Sequence, residues 1–236
     1  MKIKKKLNLN HWLRKFYTSK FYQLIYPNNE NLKKKIFTSI YKSNHWAQSD
    51  NTKNEIVSVS GPGSNINDKS LIQIKHFKKI IEDLRIKSIL DMPCGDFLWM
   101  DRVVDKTNIK YLGIDIVKEI IDENKLKYKK DNINFKYMDI VNFTNSEKFD
   151  LILIRDLFIH LKNEDIIKII KNVRRLDFKY IAVSNNTVEH NLDVNIGEHR
   201  KVNLLKDPYN LKKPNFILND GESDKFIYFY KKKDFV

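Results

Sequence analysis

Asp91, Asp115 and Asp139 each follow a short apolar run: Ser88-Ile89-Leu90, Tyr111-Leu112-Gly113-Ile114, and Ile133 to Met138. The first acid opens Asp91-Met92-Pro93-Cys94-Gly95-Asp96, which sets two carboxylates beside a glycine able to let backbone pass close to a ligand. That is the wrong charge for a diphosphate, which is held by glycine-rich backbone N–H groups with no acid nearby. It suits a ligand carrying ammonium and sulfonium cations. An acid placed as Asp115 is can accept from both hydroxyls of an adenosine ribose, and one placed as Asp139 can accept from an adenine amino group. Singly, each acid is also a good helix cap. As a set at successive strand ends they read as a cradle for a positively charged adenosyl ligand.

The cradle needs a sheet whose strands end together. Strands are expected at 88–91, 111–115, 133–138, 149–154 and 180–184, with helical patterns near 98–104, 117–128 and 163–175 between them. This alternation predicts a doubly wound, parallel α/β sheet that binds ligand beyond the carboxyl ends of its strands. A helix over about 68–84, capped by Asn67 or Asp68, precedes it. Phe216-Ile217-Leu218 and Phe226 to Tyr230 flank Asn219-Asp220-Gly221-Glu222, which predicts a closing hairpin turning at Asp-Gly. Ser60-Gly61-Pro62-Gly63-Ser64 is read as a tight loop that, with Tyr41 and Trp46, covers the cofactor or acceptor. Residues 1–35 form a basic amphipathic extension: Lys2 to Lys6, then Trp12, Leu13, Phe16, Tyr17, Phe21, Tyr22, Leu24 and Ile25, broken at Pro27-Asn28-Asn29. It reads either as a helix packed on the domain or as one that meets a membrane surface or a partner. Residues 36–236 are taken as the main domain.

Cys94 is the only cysteine, so a disulfide within the chain and a cysteine-rich zinc site are excluded. The histidines 11, 45, 76, 160, 190 and 199 make no metal-binding pair, and no metal is expected. The net charge of +14 is carried mostly by lysine. Lysine, asparagine and isoleucine are abundant throughout, as AT-rich codons produce, and arginine, the better bidentate phosphate contact, is scarce. The charge is therefore weak evidence for nucleic acid. With no bilayer-length apolar run and no secretory apolar stretch, the expectation is a cytoplasmic protein, membrane-peripheral at most.

Ile89-Leu90-Asp91-Met92-Pro93-Cys94-Gly95-Asp96-Phe97 resembles motif I of class I S-adenosylmethionine-dependent methyltransferases. Asp-x-Pro-Cys-Gly-Asp-Phe-x-Trp-Met resembles, more narrowly, a bacterial subgroup often linked with surface-polysaccharide gene clusters. The likeness runs over about 36–231. It includes Ser60 to Ser64, Gly113-Ile114-Asp115-Ile116, Asp150 to Asp156, Ile159-His160-Leu161 with Glu164-Asp165-Ile166, and Asn203-Leu204 before Pro208-Tyr209. Pro93 and Phe97 stand where the wider family has glycines. Ser184-Asn185-Asn186-Thr187 is more polar than the subgroup's segment, and His199 stands where an aromatic is common.

The resemblance implies a Rossmann-like, seven-stranded, mostly parallel sheet with an antiparallel last strand. It also implies methyl transfer from S-adenosyl-L-methionine to a hydroxyl or amine of a small molecule or glycan precursor. The cofactor set is Asp91, Pro93, Cys94, Gly95, Asp96, Asp115, Ile116, Asp139, Ile140 and Arg155. An acceptor beyond the fourth strand would meet Arg155, Asp156 and His160, with Asp156 or His160 as base. Arg155 alternatively binds a substrate anion or makes a structural salt bridge. Asp156 alternatively caps a helix, and His160 alternatively is a packed core ring. His190, His199 and Arg200 lie in an irregular 185–215 segment read as a substrate lid. Cys94 is read as a packed small residue, and Trp99 and Met100 as core. An RNA or other nucleic-acid methyltransferase and a non-catalytic nucleotide-fold module are the competing readings. The first is disfavoured because no Asn/Asp-Pro-Pro-Tyr/Phe segment follows the fourth strand.

Overall fold

Strands that are apolar at every position must be covered on both faces, and the central strands follow this rule. Ile89 of β1 (Ser88–Asp91) packs to one side of the sheet and Leu90 to the other. Leu151 and Leu153 of β4 (Lys148–Ile154) alternate in the same way with Ile152 and Ile154. The structure, a computed structural model, describes residues 9–25, 30–49, 51–144 and 146–235. β2 (Lys110–Asp115), β3 (Ile133–Tyr137), β5 (Asp177–Asn186), β6 (Phe216–Glu222) and β7 (Lys225–Lys231) complete a seven-stranded sheet of order β3-β2-β1-β4-β5-β7-β6. The first five strands are parallel neighbours, while β7 runs antiparallel to both β5 and β6. This is the expected architecture, with the order reversing between β1 and β4.

Helices cover both faces. α4 (Asp68–Asp83) and α5 (Leu98–Val104) pack Ile74, Phe77, Ile81, Trp99 and Val103 on one face. α3 (Glu30–Lys42), α7 (Asn163–Val173) and the short α8 (Lys232–Phe235) pack Ile36, Ile40, Ile166, Ile169 and Phe235 on the other. α6 (Lys118–Lys127) lies between β2 and β3, with Ile120 facing one core and Ile121 the other. α4 starts where its sequence says: Asn67 accepts from the Ser70 backbone, and the Ser70 hydroxyl accepts from the Asn67 backbone.

Two expectations change. β5 continues past Ser184, because Asn185 and Asn186 pair with Phe226 and Lys225 of β7. Their side chains also accept from the backbone of Leu204 and Val202, at 2.7 and 3.2 Å, and peg the returning chain like an extra half-strand. The hairpin does not turn at Asp220-Gly221. β6 runs on through them across a register irregularity, with Gly221 at φ +86°, and the chain turns at Ser223-Asp224. Phe216, Leu218 and Asp220 therefore share the inward face.

The expected boundary at 35/36 falls inside α3. Leu32 and Ile36 are fully enclosed on the same helix as Ile40, so α3 is part of the main core. Its Lys33 pairs with the buried Asp165 of α7 at 2.7 Å. Ahead of it lie α1 (Leu9–Thr18) and α2 (Lys20–Ile25). They are held by Asn10 donating to the Lys42 carbonyl and by a two-way amide clasp between buried Gln23 and Ile196. The expected Lys2–Lys6 cluster and the break at Pro27-Asn28-Asn29 lie outside the described residues. No helix of the described residues is long and apolar enough to cross a membrane.

Truncating a buried isoleucine loses transfer energy and leaves a cavity. Ile40→Ala is expected to lower stability by about 2–5 kcal/mol in urea denaturation. Leu24→Ser, at an exposed α2 position, is expected to stay within about 0.5 kcal/mol.

Candidate active site

A cavity opens beyond the carboxyl ends of β1, β2 and β4. Every residue named from sequence as a cofactor or catalytic candidate lines it: Asp91, Pro93, Cys94, Gly95, Asp96, Asp115, Ile116, Asp139, Ile140, Arg155, Asp156 and His160.

Asp91 ends β1 with its carboxylate accepting from the buried Tyr111 hydroxyl at 2.6 Å. Burial pushes its pKa up to about 7, against the opposing pull of Tyr111 and Arg155. Asp115 ends β2 and accepts from the Gly95 backbone at 3.2 Å and the Val117 backbone at 2.9 Å. Burial raises it to about 6 despite those donors. These bonds leave lone pairs on both carboxylates, and the cavity they line is one that a cation would relieve.

Asp139 lines the cavity and also caps the 3₁₀ turn Ile140–Asn142 through the Val141 N–H at 2.9 Å. The capping role weighed from sequence is thus observed at a residue that also lines the cavity.

Asp96 lines the cavity and also has a structural duty. One of its oxygens accepts from the Ser58 hydroxyl and the Val59 N–H at 2.8 and 2.9 Å, and the other from Leu98 N–H. Its own N–H donates to the Ser60 hydroxyl at 2.8 Å, which also bonds Tyr41. Asp96 therefore fastens the 58–60 loop over motif I. Gly95 serves that closure too. It sits at φ +52°, and a Cβ there would lie 2.4 Å from Ser60 Oγ. Cys94 is packed beside Gly113, and burial pushes its thiol up, as suits an inert side chain.

Arg155 makes the structural pairing weighed from sequence, though chiefly with a partner not foreseen. Its guanidinium is buried 4.5 Å over Trp99 and donates to the Gly63 carbonyl at 2.7 Å and to Asp220 at 3.0 Å. Lys225 bridges Asp156 at 2.8 Å and Asp220 at 3.2 Å. Two cations and two anions thus lock β4, the Gly63 loop and the β6–β7 hairpin together. Burial works to raise the Asp156 pKa, but Lys225 and then Arg155 outweigh it and hold the carboxyl well below the usual range. That makes Asp156 a poor base. Its Oδ1 is nonetheless buried with no donor to bind.

His160 lies in the 3₁₀ turn Phe158–His160, stacked on Trp46 with ring centroids 4.5 Å apart. Its Nδ1 is 3.0 Å from the Glu198 carbonyl. A carbonyl only accepts, so Nδ1 carries the proton and Nε2 the lone pair. Burial lowers its pKa to about 4, so it is neutral at pH 7.

The 187–215 segment is tied down rather than lid-like. Asn191 and Asn203 cross-bond it at 2.8 Å, and buried Arg200 donates to the Leu161 carbonyl and the Tyr209 hydroxyl. Arg200 is thus a pin within the fold, and His190 and His199 remain exposed. An outer cleft adjoins the inner cavity, and both share Trp46, Ser60, Asp156 and His160.

Sequence reasoning missed Tyr111, Lys33, Asp220 and Lys225. The signal for Asp220 was its period-2 phase with Phe216 and Leu218, hidden by the stronger Asp-Gly turn cue.

A protein-family model described as a methyltransferase domain matches residues 89–176. The N-methyltransferase NodS from Bradyrhizobium japonicum WM9, solved with S-adenosyl-L-homocysteine, superposes with a TM-score of 0.56 at 12% identity. That match covers 81% of this chain and 97% of NodS. PKMT2 from Rickettsia typhi, solved with AdoHcy, matches at a TM-score of 0.40 and 24% identity over 45% of this chain. The methyltransferase domain of bacterial CtHen1-C matches at 0.44 and 14% over 49%. The chain spans only 22% of the PKMT2 chain and 66% of the CtHen1-C chain. A comparison with functionally curated proteins finds no match. The fold is the Rossmann-like methyltransferase fold, preceded by an N-terminal helical part.

Removing one member of a buried charge network strands the others. Asp220→Ala is expected to lower stability by about 3–5 kcal/mol in urea denaturation. Asp83→Ala, at an exposed pair with Lys79, is expected to change it by less than about 1 kcal/mol.

Proposed function

We propose that this chain is an S-adenosylmethionine-dependent methyltransferase acting on a hydroxyl or amine of a small molecule or glycan precursor. The observation that carries the reading is a pair of buried carboxylates, Asp91 and Asp115, at adjacent strand tips on one cavity, both with raised pKa values. Such groups lose their proton readily when a cation binds beside them, and two carboxylates on one cavity disfavour a diphosphate. The match to a methyltransferase domain over 89–176 supports the same reading.

When bound, S-adenosylmethionine supplies an electrophilic methyl group. Asp91 holds positive charge, Asp115 accepts from ribose hydroxyls, and Asp139 with Ile140 bounds the adenine end. The residues shared by the inner cavity and the outer cleft sit where an acceptor must be aligned and water excluded. His160 takes the acceptor's proton at Nε2. Asp156, too acidic for that role, accepts a hydrogen bond at its unpaired Oδ1 and orients the acceptor.

The protein works in the cytoplasm and, in this reading, against an anionic membrane surface. Leu9, Trp12 and Phe16 form an exposed stripe on α1, continued by Phe21, Leu24 and Ile25 on α2, with Lys15 and Lys20 beside them. The resemblance to the polysaccharide-linked subgroup supports a glycan precursor as acceptor.

Calorimetric titration with S-adenosylhomocysteine, alongside methyl-transfer assays on nucleotide-sugars and glycan acceptors, tests the proposal. Wild type is expected to bind and Asp115→Ala to lose binding. His160→Ala is expected to keep binding while turnover falls about 10²–10⁴-fold. No binding by the folded wild type would sink the reading. Binding is also expected to release protons near pH 6.5. Asp91 carries a proton in the empty cavity, and a cation lowers its pKa and expels it. Titrations in buffers of different ionisation enthalpy read this directly, and proton uptake would contradict it.

A further inference from the structure

The outer cleft has a charge that the reaction at His160 does not use. Arg14, on the inward face of α1, lines it together with Thr18, His45 and His199. Of the other charges lining it, Asp156 and Lys225 pair with each other at 2.8 Å, Lys225 also meets Asp220 at 3.2 Å, and the Glu198 carboxylate accepts from Asn195 at 3.1 and 3.2 Å. Arg14 pairs with no carboxylate among the described residues, and its Nε is enclosed with nothing to donate to. Desolvation lowers its pKa, yet a guanidinium stays charged near neutrality. Burying part of a cation without an anion is unfavourable, and the fork of N–H donors matches a carboxylate or phosphate. The two histidines add donors at the same mouth. His45 is held below its ordinary pKa by burial, then by the charge of Arg14 and by His11.

We propose that the outer cleft is an oxyanion subsite, in which Arg14, assisted by His45 and His199, grips a phosphate or carboxylate on the acceptor while His160 faces its reacting group. This rests on the methyltransferase reading and narrows it to acidic acceptors. α1 then has two duties on opposite faces: Arg14 and Thr18 inward to the cleft, Trp12 and Phe16 outward.

The test uses the full chain, titrated with inorganic phosphate in one arm and acetate in the other, following the ring resonances of His45 and His199. Saturable shifts are expected in wild type, tighter for whichever oxyanion the acceptor carries. Arg14→Gln is expected to weaken binding tenfold or more. Lys75→Gln, at an exposed position of α4, is expected to leave it unchanged. Equal binding by Arg14→Gln, or an equal loss in Lys75→Gln, would overturn the subsite in favour of diffuse attraction to a basic surface. The outcome separates from that of the cofactor titration. A chain that binds S-adenosylhomocysteine but neither oxyanion loses this proposal alone. One that binds phosphate through Arg14 but no S-adenosylhomocysteine loses the methyltransferase reading alone.

Discussion

Burying a carboxylate is unfavourable unless hydrogen bonds or an opposite charge replace water, and this fold buries two on one cavity. Asp91 receives one strong bond, from Tyr111, and Asp115 receives two backbone N–H groups. Neither supply is complete, and both pKa values stay raised. The site is thus held with an electrostatic deficit that a cation would fill. Much of the surrounding architecture closes over it. Asp96 and Gly95 draw the Ser58–Ser60 loop down over motif I, and Tyr41 bonds the same Ser60 hydroxyl from α3. α3 can do this because its other face is anchored by Ile36, Ile40 and the Lys33–Asp165 pair.

A second buried network fixes the region where the two cavities meet. Arg155 and Lys225 against Asp156 and Asp220 join the end of β4 to the β6–β7 hairpin. Buried ion networks add little net stability relative to apolar packing, but they are unforgiving of altered geometry. Here that intolerance fixes the position of Asp156, whose backbone sits at φ +55° beyond β4. It also ties the Gly63 loop, which borders the outer cleft, to the C-terminal hairpin.

The sheet and the inner cavity were legible because they rest on local signals. Apolar runs ending in Asp91, Asp115 and Ile154 locate strand tips, and strand tips in such a sheet converge on one crevice. Partnerships were less legible. A sequence displays Asp96 beside Gly95 but not the Ser58 and Val59 groups that claim its carboxylate. Asp220-Gly221 carries a strong turn cue, and the strand won because Asp220 gains two buried cations by facing inward. The polar pair Asn185-Asn186 looked like loop. It is strand because its side chains supply acceptors for the chain at 202–204.

In the proposed reaction His160 joins these threads. A protonated imidazole at the junction of the two cavities would repel a cationic methyl donor and could accept no proton. Burial against Trp46 avoids both outcomes by holding the pKa near 4. The bond from Nδ1 to the Glu198 carbonyl then leaves the basic nitrogen as Nε2. A pKa that low is a weak driving force for proton transfer. It suits a displacement in which the acceptor's proton becomes acidic only as the new bond forms. In that regime positioning matters more than basicity, which fits a histidine stacked on one side and hydrogen-bonded on another.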